Sequence, residues 1–207
     1  MFITFEGGEG AGKSTQIVKV VHYLRSLGIP CLATREPGGT EIGGQIRKIL
    51  RLSNNKELVP EAELLLFLAD RVQHVRQLIN PALNEGLVVL CDRYIDSTYA
   101  YQGVARNLSF DLMELHWMLE IPDPDVTLLL DLSPECGLSR ANSQAKNGGR
   151  DKTQERFEEE ALSFHRDLRR GYLSLAEKEP NRFCIINAEE NERNVFQQIK
   201  KVLDVFF

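Results

Sequence analysis

Short apolar runs recur along the chain, separated by longer stretches with helical spacing. The runs are FITF (2–5), CLAT (31–34), LVVLC (87–91), VTLLLDL (126–132) and FCIIN (183–187). Each is short and continuous rather than alternating, the pattern of a strand buried on both faces. The helix-like stretches are 13–27, closed by Gly28; 61–79, set between Pro60 and Pro81; 111–120; 155–178; and 190–206. A glycine just past the last periodic residue is a common helix stop, and proline marks a first turn or a boundary. Strands alternating with helices predict an α/β fold: a five-stranded parallel sheet with helices on both faces.

Two regions break the alternation. Between 35 and 80 there is no strand-like run, only two helix-like pieces around the polar joint SNNKE. Between 139 and 154 the chain reads SRANSQAKNGGRDKTQ, polar and basic around a Gly-Gly. The first reads as a helical insert (about 35–80) and the second as a mobile flap within a lid (about 137–157). Both fit within one domain spanning all 207 residues.

Composition narrows the partners. The hydrophobic fraction of 43% and charged fraction of 27% are ordinary for a globular chain. The net charge of −5, from 25 basic and 30 acidic residues, argues against a nucleic-acid partner. It leaves room for a small anion in a locally basic cleft. No run approaches the length of a membrane span, so no membrane partner is expected. The opening MFITFEGG enters a strand at once, without the leader of a secretory signal. Cys31, Cys91, Cys136 and Cys184 form no CxxC pair, and a reduced, cytoplasmic setting is expected. His22, His74, His116 and His165 show no metal-like grouping and are expected at the surface or as caps.

The chemistry starts at GGEGAGKS (7–14). It fits G-x-x-x-x-G-K-[ST], with Gly7, Gly12, Lys13 and Ser14 fixed and Gly8, Glu9, Gly10 and Ala11 between them. The motif follows a strand and opens a helix, the context it requires. Glycines let successive N–H groups turn inward on phosphate oxygens, and the helix start adds its positive dipole end. Lys13 is expected on the β/γ-phosphates and the Ser14 hydroxyl on Mg²⁺.

The phosphate acceptor must be read elsewhere. A guanine-nucleotide switch should carry N-K-x-D, but Asn55-Lys56-Glu57-Leu58 lacks the aspartate, and neither D-x-x-G nor an S-G-G-Q-like transport signature occurs. Basic groups instead follow the strand-like runs: Arg35 in TREPGGT, Arg93 beside Asp92 in CDRYIDSTYAYQG, and Arg47 on a helix in GGQIRKIL. Strand ends of this kind lie at the carboxyl edge of an α/β sheet, where ligands bind. A hydroxyl acceptor needs a close general base. A phosphate acceptor needs cations that gather two polyanions and stabilise a loose transition state. The residues suit the second task and leave a deoxynucleoside kinase or an ATP-dependent switch as alternatives.

EGGEGAGKS, TREPGGT, ELLLFLADRVQHV, DRYIDSTYAYQG and LLLDLSPECGLSR, in this order, make the chain resemble the bacterial thymidylate kinases over essentially its whole length. The resemblance implies a P-loop NTPase fold, transfer of the ATP γ-phosphate to dTMP with Mg²⁺, and a homodimer. By the same resemblance, Gly7 through Thr15 hold ATP, and Ser14 and Asp92 lie near Mg²⁺. Arg93, Arg47 and Arg35 grip the dTMP phosphate beside Pro37, and Glu9 lies near the sugar 3′-hydroxyl. Phe67 stacks on thymine and Arg71 donates to its carbonyl; their spacing puts both on one helix face. Tyr101 crowds the 2′ position, Ser97 and Gln102 lie near the base, and residues near Ala188 meet adenine. The family divides between a basic residue in the phosphate loop and arginines in the lid. This loop has no basic residue before Lys13, so the lid must supply the cation. Its basic residues are Arg140, Lys146, Arg150, Lys152 and Arg156, with Arg140, Arg150 and Arg156 the catalytic candidates.

Overall fold

The computed structural model describes residues 1–55, 57–109, 111–146 and 156–207. Five strands form where the apolar runs predict them: β1 (Phe2–Glu6), β2 (Cys31–Arg35), β3 (Val88–Asp92), β4 (Val126–Asp131) and β5 (Phe183–Asn187). They pair in parallel in the order β2-β3-β1-β4-β5. The central strand is buried on both faces: Ile3 and Phe5 join one apolar cluster and Phe2 another. Fully burying such a side chain contributes about 1.5–3 kcal/mol.

The register fixes the site. Phe5 and Arg35 both lie opposite Asp92, and Glu6 lies opposite Leu129. The carboxyl ends of β1, β2 and β3 therefore reach one edge together. Because β1 has β3 on one side and β4 on the other, the chain leaving it opens a crevice at that edge.

The helices are α1 (Lys13–Ser26), α2 (Glu41–Arg51), α3 (Pro60–His74), α4 (Asn80–Asn84), α5 (Ile95–Thr98), α6 (Leu112–Met118), α7 (Pro134–Lys146), α8 (Leu162–Lys178) and α9 (Glu192–Leu203). α1 and α9 cover one face of the sheet through Val20, Leu24, Ile199 and Leu203. On the other, Leu168, Tyr172 and Leu175 of α8 pack with Ala100, Tyr101 and Leu129. The Thr40 hydroxyl caps α2 by accepting from the Gly43 N–H at 3.0 Å, and Gly28 (φ +75°) follows α1 as expected.

Several features differ from the expectations. Pro81 does not end the helical path: a wide π turn at Val75–Ile79 leads into α4, whose first turn holds the proline. Proline lacks an N–H, and a first turn needs none there. Residues after β3 continue as α5 and a second π turn, Tyr99–Ala105, against α8; Gly171 lets the segments meet at Val104 and Ala100. The first part of the expected flap is helical through Lys146, with Pro134 and Glu135 in its first turn. The helix expected at 155–178 starts only at Leu162, because Arg156, Phe157 and Glu160 have partners elsewhere. His74, His116 and His165 are buried rather than at the surface. The Glu36-Pro37 bond is cis.

The loop after β1 is braced from behind. A Cβ built on Gly137 in α7 would strike the Glu9 carbonyl, and one on Gly10 would strike the Gly137 carbonyl. Gly137→Ala should therefore displace the loop and cost about 1–3 kcal/mol, as overpacking does. Urea unfolding measures this; an unchanged midpoint would show that α7 moves aside freely.

Candidate functional site

The segment joining β1 to α1 turns through Gly7, Gly10 and Gly12 at φ +134°, +70° and +87°, conformations that disfavour a side chain. Gly12 caps α1 in the left-handed conformation, so the helix begins at Lys13 with its N–H groups facing the crevice. The Lys13 ammonium is folded back on the Gly7 and Gly8 carbonyls at 3.0 and 2.9 Å. Burial and the nearby Arg93 pull it down to about 8, against Asp92, Glu9 and Glu6, which hold it up.

Beside the loop, Arg93 follows β3 with φ +70°, unusual for a non-glycine residue and often found at functional sites. The next peptide is fixed by Glu6, whose carboxylate accepts the Tyr94 N–H at 2.7 Å. Glu6 is fully buried and also accepts from the Ser97 and Tyr172 hydroxyls at 2.6 and 2.9 Å. Burial, and then Asp96, push its carboxyl up to about 7. The Arg93 guanidinium crosses the crevice floor, donating to the Gly7 carbonyl at 3.0 Å and to Glu9 at 2.6 Å. Glu9 also accepts from the Tyr101 hydroxyl at 2.8 Å. Burial alone would raise the Glu9 carboxyl, but Arg93 and Lys13 hold it well below the usual carboxylate range.

These groups open on a cavity of about 390 Å³. Its walls include Glu9, Gly10, Ala11, Gly12, Lys13, Ser14 and Thr15 of the loop, with Asp92 and Arg93 at the end of β3. Arg35, Pro37 and Arg47 form another part, and Phe67, Ser97, Tyr101 and Gln102 a third. Most of the expected site residues thus face one space. The Ser14 hydroxyl donates to Asp92 at 2.6 Å, so two hard oxygen groups meet at its edge. Burial, Arg51 and Arg35 pull the Arg47 guanidinium down to about 10, the mark of crowded cations.

Other expected residues lie apart from the wall. Gly7 and Gly8 face a small space behind the loop. Arg71 is 1% exposed and sits behind the cavity, donating to Glu36 at 2.7 Å, Thr98 at 2.8 Å and the Tyr94 carbonyl at 2.9 Å. Arg140 donates to the carbonyls of Ala188 and Glu189 at 2.6 and 3.1 Å. Arg156 lies 2.7 Å from Glu63. Arg150 and Lys152, and the side chain of Lys146, lie outside the described residues.

The wall also contains Glu36, Arg51, Thr98, Phe157 and Glu158. Arg51 follows Arg47 by one helical turn on α2, a signal present in the sequence. Phe157 reaches the cavity through partners on other elements, Phe67 and Tyr101.

A phosphate loop, hard oxygen groups and a cationic acceptor wall on a parallel sheet define a P-loop kinase with an anionic acceptor. The thymidylate kinase family model matches residues 5–199. The chain is 49% identical over 190 residues to the thymidylate kinase of Desulfosudis oleivorans, covering 91% of this chain and 89% of the relative. It is 47% identical over 208 residues to that of Desulfovibrio desulfuricans, covering 100% and 96%. The crystal structure of thymidylate kinase from Ehrlichia chaffeensis superposes with a TM-score of 0.78 at 30% identity, covering 98% of each chain. The chain belongs to the thymidylate kinase family, and its activity is the phosphorylation of dTMP with ATP as the phosphate donor.

The Lys13 ammonium carries a pH dependence. A bound polyphosphate favours its protonated form, so ATP affinity should be full below pH about 8 and fall by up to about tenfold per unit above it. Titrating ATP binding between pH about 7 and about 9.5 measures this; a flat profile would show that Lys13 stays charged in the free protein.

Proposed function

We propose that the cavity is the acceptor site, with the dTMP phosphate on Arg93, Arg47 and Arg35 and the base toward Phe67. The observation that carries this is the place of Arg93: it lines the cavity while touching both the Gly7 carbonyl and Glu9. A cation there stands between donor loop and acceptor, where charge develops in phosphoryl transfer.

In this reading the loop N–H groups and Lys13 hold the ATP phosphates, Lys13 exchanging the Gly7 and Gly8 carbonyls for phosphate oxygens. Ser14 and Asp92 would hold Mg²⁺; their hard oxygens suit a cation that completes its shell with water and phosphate. When bound, that ion neutralises charge on the transferred phosphoryl group. Glu9 orients Arg93 and Tyr101 and is placed to accept from a sugar hydroxyl. Tyr101 crowds the 2′ position, while Ser97 and Gln102 face the nucleoside. Arg71 uses N–H groups not engaged by Glu36, Thr98 and Tyr94 to reach the thymine carbonyl. That arrangement rejects cytosine, whose amino group would leave buried donors unpaired.

Residues 35–80 then serve as the monophosphate-binding insert and 137–157 as the lid of one domain. Arg140 braces the backbone after β5, beside the adenine site, and Arg156 is engaged with Glu63. Arg150 or Lys146 is the lid's candidate for the transferred phosphate. The chain acts as a cytoplasmic homodimer, a reading supported by exposed apolar residues on α3 and α6, Leu65, Trp117 and Met118. Among the described residues no helix is long and apolar enough to cross a membrane.

ADP release from ATP·Mg²⁺ with dTMP, dUMP, dCMP, dGMP or thymidine tests the assignment. dTMP should be the best acceptor, and a preference for thymidine would overturn it. Arg93→Ala should lower kcat/KM for dTMP by about a hundredfold or more, in line with losing a group that stabilises the transition state. ATP binding, followed by fluorescence titration, should stay within a few-fold; equal loss of both would argue against the acceptor role. Lys13→Met should nearly abolish turnover in a folded protein, as its circular dichroism would show.

A further inference from the structure

We propose that Phe157, at the end of the lid segment, is a wall of the dTMP pocket, held there by the buried Glu63 through Arg156. The proposal rests on reading the cavity as the dTMP site. It adds a specificity-determining side chain and a positioning residue to that site.

Phe157 is 8% exposed and lines the cavity. Its ring centroid lies 6.2 Å from that of Phe67, at an interplanar angle of 51°, and 5.5 Å from that of Tyr101, edge-on at 90°. Phe67 comes from α3 and Tyr101 from the turn after α5, so Phe157 closes the angle between them. Three rings around one space suit a planar base and an apolar sugar face.

What holds Phe157 is a carboxylate with no exposure. Glu63 lies on α3 one turn before Phe67, on the same face, and is 0% exposed. The Arg156 guanidinium reaches it at 2.7 Å and the Leu50 carbonyl at 3.3 Å, with its carbon 5.3 Å from the Phe157 ring centroid. Gln102, next to Tyr101, donates to Glu63 at 2.7 Å. Arg106 lies 3.4 Å from Glu63 and 2.6 Å from Glu160, tying the far side of the same segment. A buried charge is tolerable only when paired and hydrogen-bonded, so this carboxylate fixes where its partners can sit. Those partners neighbour the three aromatic walls in sequence: Arg156 beside Phe157, Gln102 beside Tyr101, and Glu63 itself one turn from Phe67. Glu63 thereby ties the acceptor pocket to the segment that carries Phe157.

Steady-state kinetics test the proposal. Phe157→Ala should raise KM for dTMP about tenfold or more, with KM for ATP within about twofold, as expected for a ring in a largely desolvated pocket. Phe157→Tyr should retain most dTMP affinity. Glu63→Gln should raise KM for dTMP by a larger factor than it lowers kcat, and the pair Glu63→Gln/Phe157→Ala should be no worse than Phe157→Ala alone. Independent losses from the two changes, or equal losses for dTMP and ATP, would make Glu63 merely structural and overturn the holding role. If Glu63→Gln fails to fold, Arg156→Gln reads the same contact from its other end. There, a loss confined to kcat would place Arg156 on the transferred phosphate and overturn the proposal. Phe67→Ala separates the two readings. If it raises KM for dTMP and Phe157→Ala does not, the wall assignment fails alone; if neither does, the cavity assignment fails with it.

Discussion

The ion pair between Arg93 and Glu9 joins the two halves of the site. Glu9 belongs to a loop whose other groups favour anions, and Arg93 to a strand end on the next element of the sheet. Their contact depends on two backbone features: the left-handed turn at Arg93 and the inward turn of the loop at Gly7 and Gly10. The turn at Arg93 is held by its own N–H on the Phe5 carbonyl and by Glu6 on the following N–H. The acid in the phosphate loop is therefore a fixed anchor for the arginine on the cavity floor. Without it the guanidinium would have the Gly7 carbonyl, a distant serine and a tyrosine hydroxyl as neutral partners. Neutral acceptors hold a cation less strongly than a carboxylate does.

A second consequence is electrical. The chain is acidic overall, yet Lys13, Arg35, Arg47, Arg51 and Arg93 all line one cavity. Gathering cations out of water costs energy, and the depressed Lys13 and Arg47 ammonium and guanidinium groups register that cost. Glu9, Asp92, Glu36 and Glu158 interleave with them and offset part of it. With five cations against four carboxylates, the cavity favours an anionic ligand.

The sequence made the sheet and the phosphate loop legible because both are local. A strand buried on two faces must be a continuous apolar run, and a phosphate-binding turn must place glycines where side chains cannot go. Arg35, Asp92 and Arg93 were legible for a related reason, since strand ends in a parallel sheet share an edge. The rest depended on distant partners. Arg71 shares a helix face with Phe67 as the spacing implies, but Glu36 and Thr98, from other elements, hold it behind the cavity wall. Arg140 and Arg156 read as lid cations for the transferred phosphate. Their actual partners are backbone carbonyls after β5 and a carboxylate on α3. His74 looked incidental, yet its ring bridges Thr34 and Glu36 at 2.7 and 2.9 Å beneath the acceptor wall. Periodicity reports which face of an element is apolar; it does not report which buried charge from another element will meet it.

The same distinction bears on how the family motifs act in this chain. A motif records side chains that touch substrate, while the groups that aim them are scattered. Glu6 illustrates this. It precedes the loop and is fully buried, so the loop pattern assigns it no contact with phosphate. Its three bonds nevertheless set the Tyr94 peptide, Ser97 and Tyr172, and the last two lie 3.5 and 3.3 Å from the Arg93 guanidinium. Burial pushes this carboxyl up to about 7, so near neutrality the proton itself becomes a participant in the network. When charged, Glu6 only accepts, and the Ser97 and Tyr172 hydroxyls, 2.8 Å from each other, are both within donating distance of it and keep lone pairs toward Arg93. Protonation would give the carboxyl a donor of its own, and one hydroxyl would then accept from it. Arg93 is thus tied through two hydroxyl groups to a fully buried carboxylate.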